Sequence, residues 1–102
     1  MSPKGDGEPL LYQVNISKKI REATRELFQE AVQQGRGQSF LTSLRVIYDR
    51  LQHDPKTFGE FLYPLPALKL LIFQVVVAPV VVDYGVHEVK PLVILKGVKL
   101  LG

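Results

Sequence analysis

Along the first half of the chain, apolar positions recur with two different periods. Between Leu10 and Ile16, Tyr12, Val14 and Ile16 share one face, while Gln13 and Asn15 point away. That alternation is the period of a half-buried strand. Ser17 follows where a helix N-cap belongs, its hydroxyl able to accept a bond from a free backbone N–H. From Lys18 to Gln34 the apolar residues fall at Ile20, Ala23, Leu27, Phe28, Ala31 and Val32, a helical spacing that covers one face. Charges on the rest of that helix repeat in like-signed pairs, Glu22 with Glu26, Glu26 with Glu30 and Arg21 with Arg25. Such pairs repel mildly, so packing must hold the helix. Gly35 supplies the left-handed residue that commonly ends a helix. After a short connector, Ser39 is a second candidate N-cap, and Phe40, Leu41, Leu44, Ile47, Tyr48 and Leu51 repeat at helical spacing up to His53. Pro55 pushes Asp54 out of the helical region and stops the second helix. Two helices joined by so few residues predict an antiparallel hairpin.

The pattern changes after Pro55. Pro64 and Pro66 predict irregular chain around Phe61 to Leu65. Three β-branched segments follow, Lys69 to Val77, Val80 to Val86 and Leu92 to Leu101. The breaks between them, Ala78-Pro79 and His87 to Pro91, are short enough for an antiparallel meander. The predicted order is β-α-α-β-β-β: an α+β fold with an N-terminal strand, a two-helix antiparallel hairpin and a three-stranded antiparallel meander, the helices packed on one sheet. The near-continuous apolar run from Val75 to Val82 further predicts a sheet covered on both faces, or an interface.

Phe61 to Val82 is also close to the length of a membrane-spanning helix. Pro64, Pro66, Pro79, Lys69 and Gln74 interrupt it, which argues for strands and against a membrane partner. Met1 to Pro9 reads as a flexible tail, with two Gly, two Pro and no apolar run after its lysine, so neither a signal nor a transit peptide is expected there. The remaining residues, 10–102, are expected to form a single domain, which the total of 102 residues also suggests. Cysteine is absent, which removes disulfides, thiolate metal sites and a cysteine nucleophile, and suits a cytoplasmic location. The net charge of +3 is only a mild lean towards polyanions. It is unevenly made: residues 56–102 carry five lysines against three acids, whereas the first half is nearly balanced.

The stretch Pro79-Val-Val-Val-Asp-Tyr-Gly-Val-His-Glu-Val-Lys-Pro-Leu-Val-Ile-Leu resembles the "Pro-Leu-Val-Val-x-Tyr-x-Val-x-Glu-x-x-x-Val-x-Val" end of the RelE/ParE-like toxin superfamily. Upstream, Leu51 to Pro55 followed by Phe58 to Glu60 is similar to that superfamily's "Leu-x-x-x-Pro-x-x-x-Gly" link between hairpin and sheet. With the strand-helix-helix opening, the resemblance covers about residues 10–101. It implies the toxin-like component of a type II toxin–antitoxin system, which cuts messenger RNA on the ribosome or blocks DNA gyrase. A small antitoxin protein is the implied partner, and no metal or other cofactor is implied. Two positions depart from the superfamily. The arginine that commonly sits three residues before the strand tyrosine is Val81 here, and where a further basic residue and a Tyr or His usually follow the last strand, only Lys96 and Lys99 lie nearby. If the chain cuts RNA, it needs a cation for the developing phosphate charge and a group to move a proton.

Candidates for those roles have plainer readings beside them. Tyr84 anchors the resemblance and is a candidate for proton transfer, yet strands enrich tyrosine for packing alone. His87, in a polar turn beside Glu88, titrates in the right range for a general base, as does any solvated turn histidine. Lys90, Lys96 and Lys99 make the last strand the more cationic edge, suited to RNA or to an acidic partner, or simply to protecting an edge from self-pairing. Lys18, Lys19, Arg21 and Arg25 form a basic cluster on the first helix, interleaved with Glu22 and Glu26 as on a solvated mixed face. A second functional class is open as well: a non-catalytic interaction module on the same fold, forming a homodimer or binding a partner through its valine-rich strands.

Overall fold

The computed structural model describes residues 11–102. Leu10, and the tail expected over Met1 to Pro9, lie outside the described residues. The chain runs β1 (Gln13–Asn15), α1 (Lys18–Gln33), α2 (Gly37–His53), a single turn α3 (Pro55–Phe58), β2 (Glu60–Leu65), a 3-10 turn (Pro66–Leu68), β3 (Leu70–Val77), β4 (Val80–His87) and β5 (Leu92–Leu100). The α+β class, the helical hairpin and the antiparallel meander are as the sequence predicts, and the meander gains one strand.

That added strand is β2, read from sequence as irregular because of Pro64 and Pro66. It lies at the sheet's edge in the order β1-β5-β4-β3-β2. An edge position tolerates a residue without an N–H, because the outer side of the strand needs no donor. Its register against β3 shifts between Phe61 and Tyr63, a bulge at Leu62. β1 pairs in parallel with β5 through Gln13–Leu92, Val14–Val93 and Asn15–Ile94. The start of β5 is therefore interior. Only its later half, which carries Lys96 and Lys99, keeps an open edge.

The helix boundaries follow local chemistry. Ser17 caps α1, its Oγ accepting from the Ile20 N–H at 3.1 Å. Gly35 adopts φ +76, the left-handed conformation that reverses the chain at low steric cost. The Arg36 N–H then returns to the Ala31 carbonyl at 2.7 Å, which starts α2 at Gly37. Ser39 consequently sits inside α2 and is not its N-cap, because the hairpin turn is completed three residues earlier than the polar pattern indicates, at Arg36. Lys69, expected to open a strand, instead occupies the left-handed turn after the 3-10 segment at φ 56.

Both helices pack on one face of the sheet, with α1 over β5 and α2 against α1, β3 and β4. The core between them contains Phe40, Ile47 and Leu51 from α2 and Phe73, Val82, Tyr84, Val86 and Val93 from the strands. Each such apolar side chain, once buried, contributes about 1.5–3 kcal/mol. The Ser43 hydroxyl donates to the Ala78 carbonyl at 2.7 Å and ties α2 to the β3–β4 turn, where Ala78-Pro79 is cis. The valine run is absorbed by this architecture. Val75, Val80, Val81 and Val82 are buried, and only Val76, at 55%, is freely exposed. Among the described residues, no helix is long and apolar enough to cross a membrane.

Candidate functional site

Side chains alternate across a strand, so register sorts the candidates by sheet face. Tyr84 lies on the face covered by the helices. It is fully buried and stacks on Phe73 with ring centroids 5.5 Å apart and planes 9° apart. Phe61 meets the other side of Phe73 edge-on at 5.7 Å, so an aromatic row crosses β2, β3 and β4. The Tyr84 hydroxyl donates to the Pro55 carbonyl at 2.7 Å. Burial pushes its pKa up to about 12; the Asp54 carboxylate adds to that shift, while the Gly59 N–H and Arg50 oppose it. A phenol held this way stays neutral and engaged across the physiological range.

The link between hairpin and sheet is built around this hydroxyl. A Cβ at Gly59 would stand 2.5 Å from the Tyr84 oxygen and 2.9 Å from the Gln74 carbonyl, a space only glycine can occupy undisturbed. Arg50 forms a two-pronged bond to Asp54, Nε to Oδ1 at 2.9 Å and Nη2 to Oδ2 at 2.6 Å. The same guanidinium lies 4.5 Å from the Phe58 ring centroid. This hydrogen bond and charge pairing hold the Asp54 carboxyl below the usual carboxylate range.

His87, expected from sequence in the polar turn, is instead the last residue of β4 and pairs with Leu70. Three residues separate it from Tyr84, so the two side chains face opposite sides of the sheet. Its Nδ1 accepts from the Val89 and Lys90 N–H groups at 3.1 and 3.0 Å, closing the turn into β5 and leaving the proton on Nε2. Val81, at the position where the superfamily pattern carries arginine, is only 7% exposed. It lies opposite Lys99, on the sheet face away from the helices.

The lysines do not converge either. Lys90 lies in the β4–β5 turn and Lys96 at the β5 bulge, roughly 20 Å away at the rise of an extended chain. Lys99 pairs with Val81, six positions along β4 from His87, which is again roughly 20 Å. His87 and Lys99 are therefore too far apart to meet on one phosphate, whereas Lys90 is the neighbour of His87, its N–H reaching Nδ1. The far sheet face is instead centred on a hydrogen bond from Gln74 Nε2 to Asp83 Oδ1 at 2.8 Å. Beside it, Leu70 and Ile72 are buried over Gly85, whose missing side chain leaves room for theirs.

The first-helix cations are divided. Lys18 and Lys19 are exposed at the start of α1. Arg21 and Arg25 line a cleft of about 370 Å³ that opens between α1, α2 and the sheet. Arg21 Nη2 donates to the Ile16 carbonyl at 3.2 Å, which steadies its guanidinium at that wall. Across the cleft stand Leu41, Leu44 and Tyr48 of α2, and Tyr48 is 45% exposed. The sequence places all three in one helical apolar repeat with Phe40, Ile47 and Leu51. The spacing in fact contains two stripes: Phe40, Ser43, Ile47 and Leu51 are buried, while Leu41, Leu44 and Tyr48 run alongside as the cleft wall. Comparison with models of protein families, with curated proteins and with solved structures finds no match for the chain.

Proposed function

We propose that the chain is a RelE/ParE-like toxin component of a type II toxin–antitoxin pair that acts by binding its target and not by cutting RNA. The observation carrying the second half is the state of Tyr84, buried and committed to the Pro55 carbonyl. Apolar Val81 and the turn-capping Nδ1 of His87 support the same reading. Phosphodiester cleavage needs a proton-transfer group and a cation converging on one phosphate. Here Tyr84 and His87 face opposite sides of the sheet, Lys96 and Lys99 lie on β5, and Lys90, in the turn beside His87, helps to occupy the Nδ1 of that histidine through its N–H. Of the two activities that the resemblance implies, blockade of a protein such as DNA gyrase fits these residues better than message cutting. The order of elements and the motifs around Tyr84 and Gly59 support the superfamily reading, with a small antitoxin protein as partner. Induced expression in a bacterial host tests it. Growth arrest, relieved by co-expressing a short antitoxin frame encoded beside the gene, is expected; unimpaired growth overturns the toxin reading.

One observation favours a second reading, the interaction module. Phe61, Leu62, Tyr63 and Leu68 are exposed together at the β2 end of the sheet. Apolar surface gathered at a sheet edge is a common mark of partner binding. Unimpaired growth together with concentration-dependent self-association would select this reading over the toxin.

A further inference from the structure

We infer that the cleft between the helical hairpin and the sheet is a binding site for a single-chain organic carboxylate of medium length. Protein interiors are packed with few voids larger than a water molecule. A cleft of about 370 Å³ in a chain this small falls within the size range of ligand pockets. For comparison, an apolar cavity of about 150 Å³ already takes up benzene. Its inner walls are apolar, formed by Phe28, Phe40, Leu44, Ile47, Leu51 and Val82.

Charge decides the class of occupant. Arg21 and Arg25 stand one turn apart on α1 among the lining residues, and no Asp or Glu lines the cleft. Neither arginine forms an ion pair among the described residues, where the pairs are Arg50–Asp54 and His53–Asp49. The Thr24 hydroxyl is committed to the Ile20 carbonyl at 2.7 Å and one Arg21 N–H to the Ile16 carbonyl, so the polar groups left to a ligand are the Arg25 guanidinium, the other Arg21 donors and Tyr48. An apolar slot with two guanidinium groups fits an unbranched apolar body ending in one anionic group, because arginine binds a carboxylate through paired N–H donors. At the packing density of protein interiors the space takes a chain of roughly ten to twelve carbons.

The test uses the purified full chain and methyl NMR, so its result is independent of any growth assay. Decanoate is titrated in, with decyltrimethylammonium as a probe of the same chain length and opposite charge. Decanoate is expected to shift the Leu44, Ile47 and Val82 methyls and to bind at least tenfold more tightly than the cation. Arg21→Gln with Arg25→Gln, both on the exposed side of α1, is expected to leave the fold intact and weaken decanoate at least fivefold. Leu44→Trp, which fills the slot, is expected to abolish binding of both amphiphiles. Equal affinity for the two probes, or full affinity in the arginine variant, overturns the proposal. So does the absence of shifts at these methyls, which would leave the cleft to a protein segment.

Discussion

At the scale of the residue, Tyr84 carries the most weight. Its ring fills the core and its hydroxyl fastens the Pro55 turn. Tyr84→Phe keeps the ring and loses the bond, so a destabilisation of about 1–2 kcal/mol is expected in urea unfolding. The raised pKa makes a second, independent prediction. Unfolded tyrosine ionises near the ordinary value of 10.0, whereas Tyr84 in the folded chain is held to about 12. The unfolded state therefore loses its proton first as pH rises. The stabilisation is complete below pH 10 and is lost as pH climbs through the folded value of about 12. Tyrosinate absorbance during alkaline titration should show one tyrosine ionising last, with Tyr84→Phe removing that step. Gly59→Ala strikes the same spot from the other side. Its Cβ meets the Tyr84 oxygen and a backbone carbonyl that cannot swing away. A loss of about 1–3 kcal/mol is expected by thermal or urea unfolding.

At the scale of the element, hydrophobic period and punctuation were enough to read β1, both helices and the last three strands. Their faces are strongly patterned, and Ser17, Gly35 and Pro55 mark boundaries with definite chemistry. The edge strand was not legible, because Pro64 cancels the usual strand signal and nothing local says that a segment will lie at an edge, where proline is harmless. The parallel pairing of β1 with β5 is non-local too, and without it the open edge of β5 was misjudged as the whole strand. Of the candidate residues, the sequence located Arg21 and Arg25 but not the cleft they line, since that depends on how far α2 stands from α1. The β2 edge also yields a prediction. Pro64 and the bulge at Leu62 both blunt backbone pairing there, so the chain should elute as a monomer at every concentration in size-exclusion chromatography. A dimer that disappears on combining Leu62→Lys with Tyr63→Lys would favour the interaction module.

At the scale of the whole molecule, the sheet separates the two candidates for proton transfer. Tyr84 lies under the helices, His87 on the far face beside Lys90, and Lys99 roughly 20 Å from that pair. What the fold offers instead is binding surface: the exposed aromatic end at β2, the lysine-bearing edge of β5 and the arginine-lined cleft. A chain so arranged is expected to stop growth by occupying a target. The most direct measurement maps the 5′ ends of messenger RNA in cells whose growth has been arrested by induced expression, against an uninduced control. Intact messages during arrest are the expected result. New cleavage sites that vanish in a folded His87→Ala variant would contradict it.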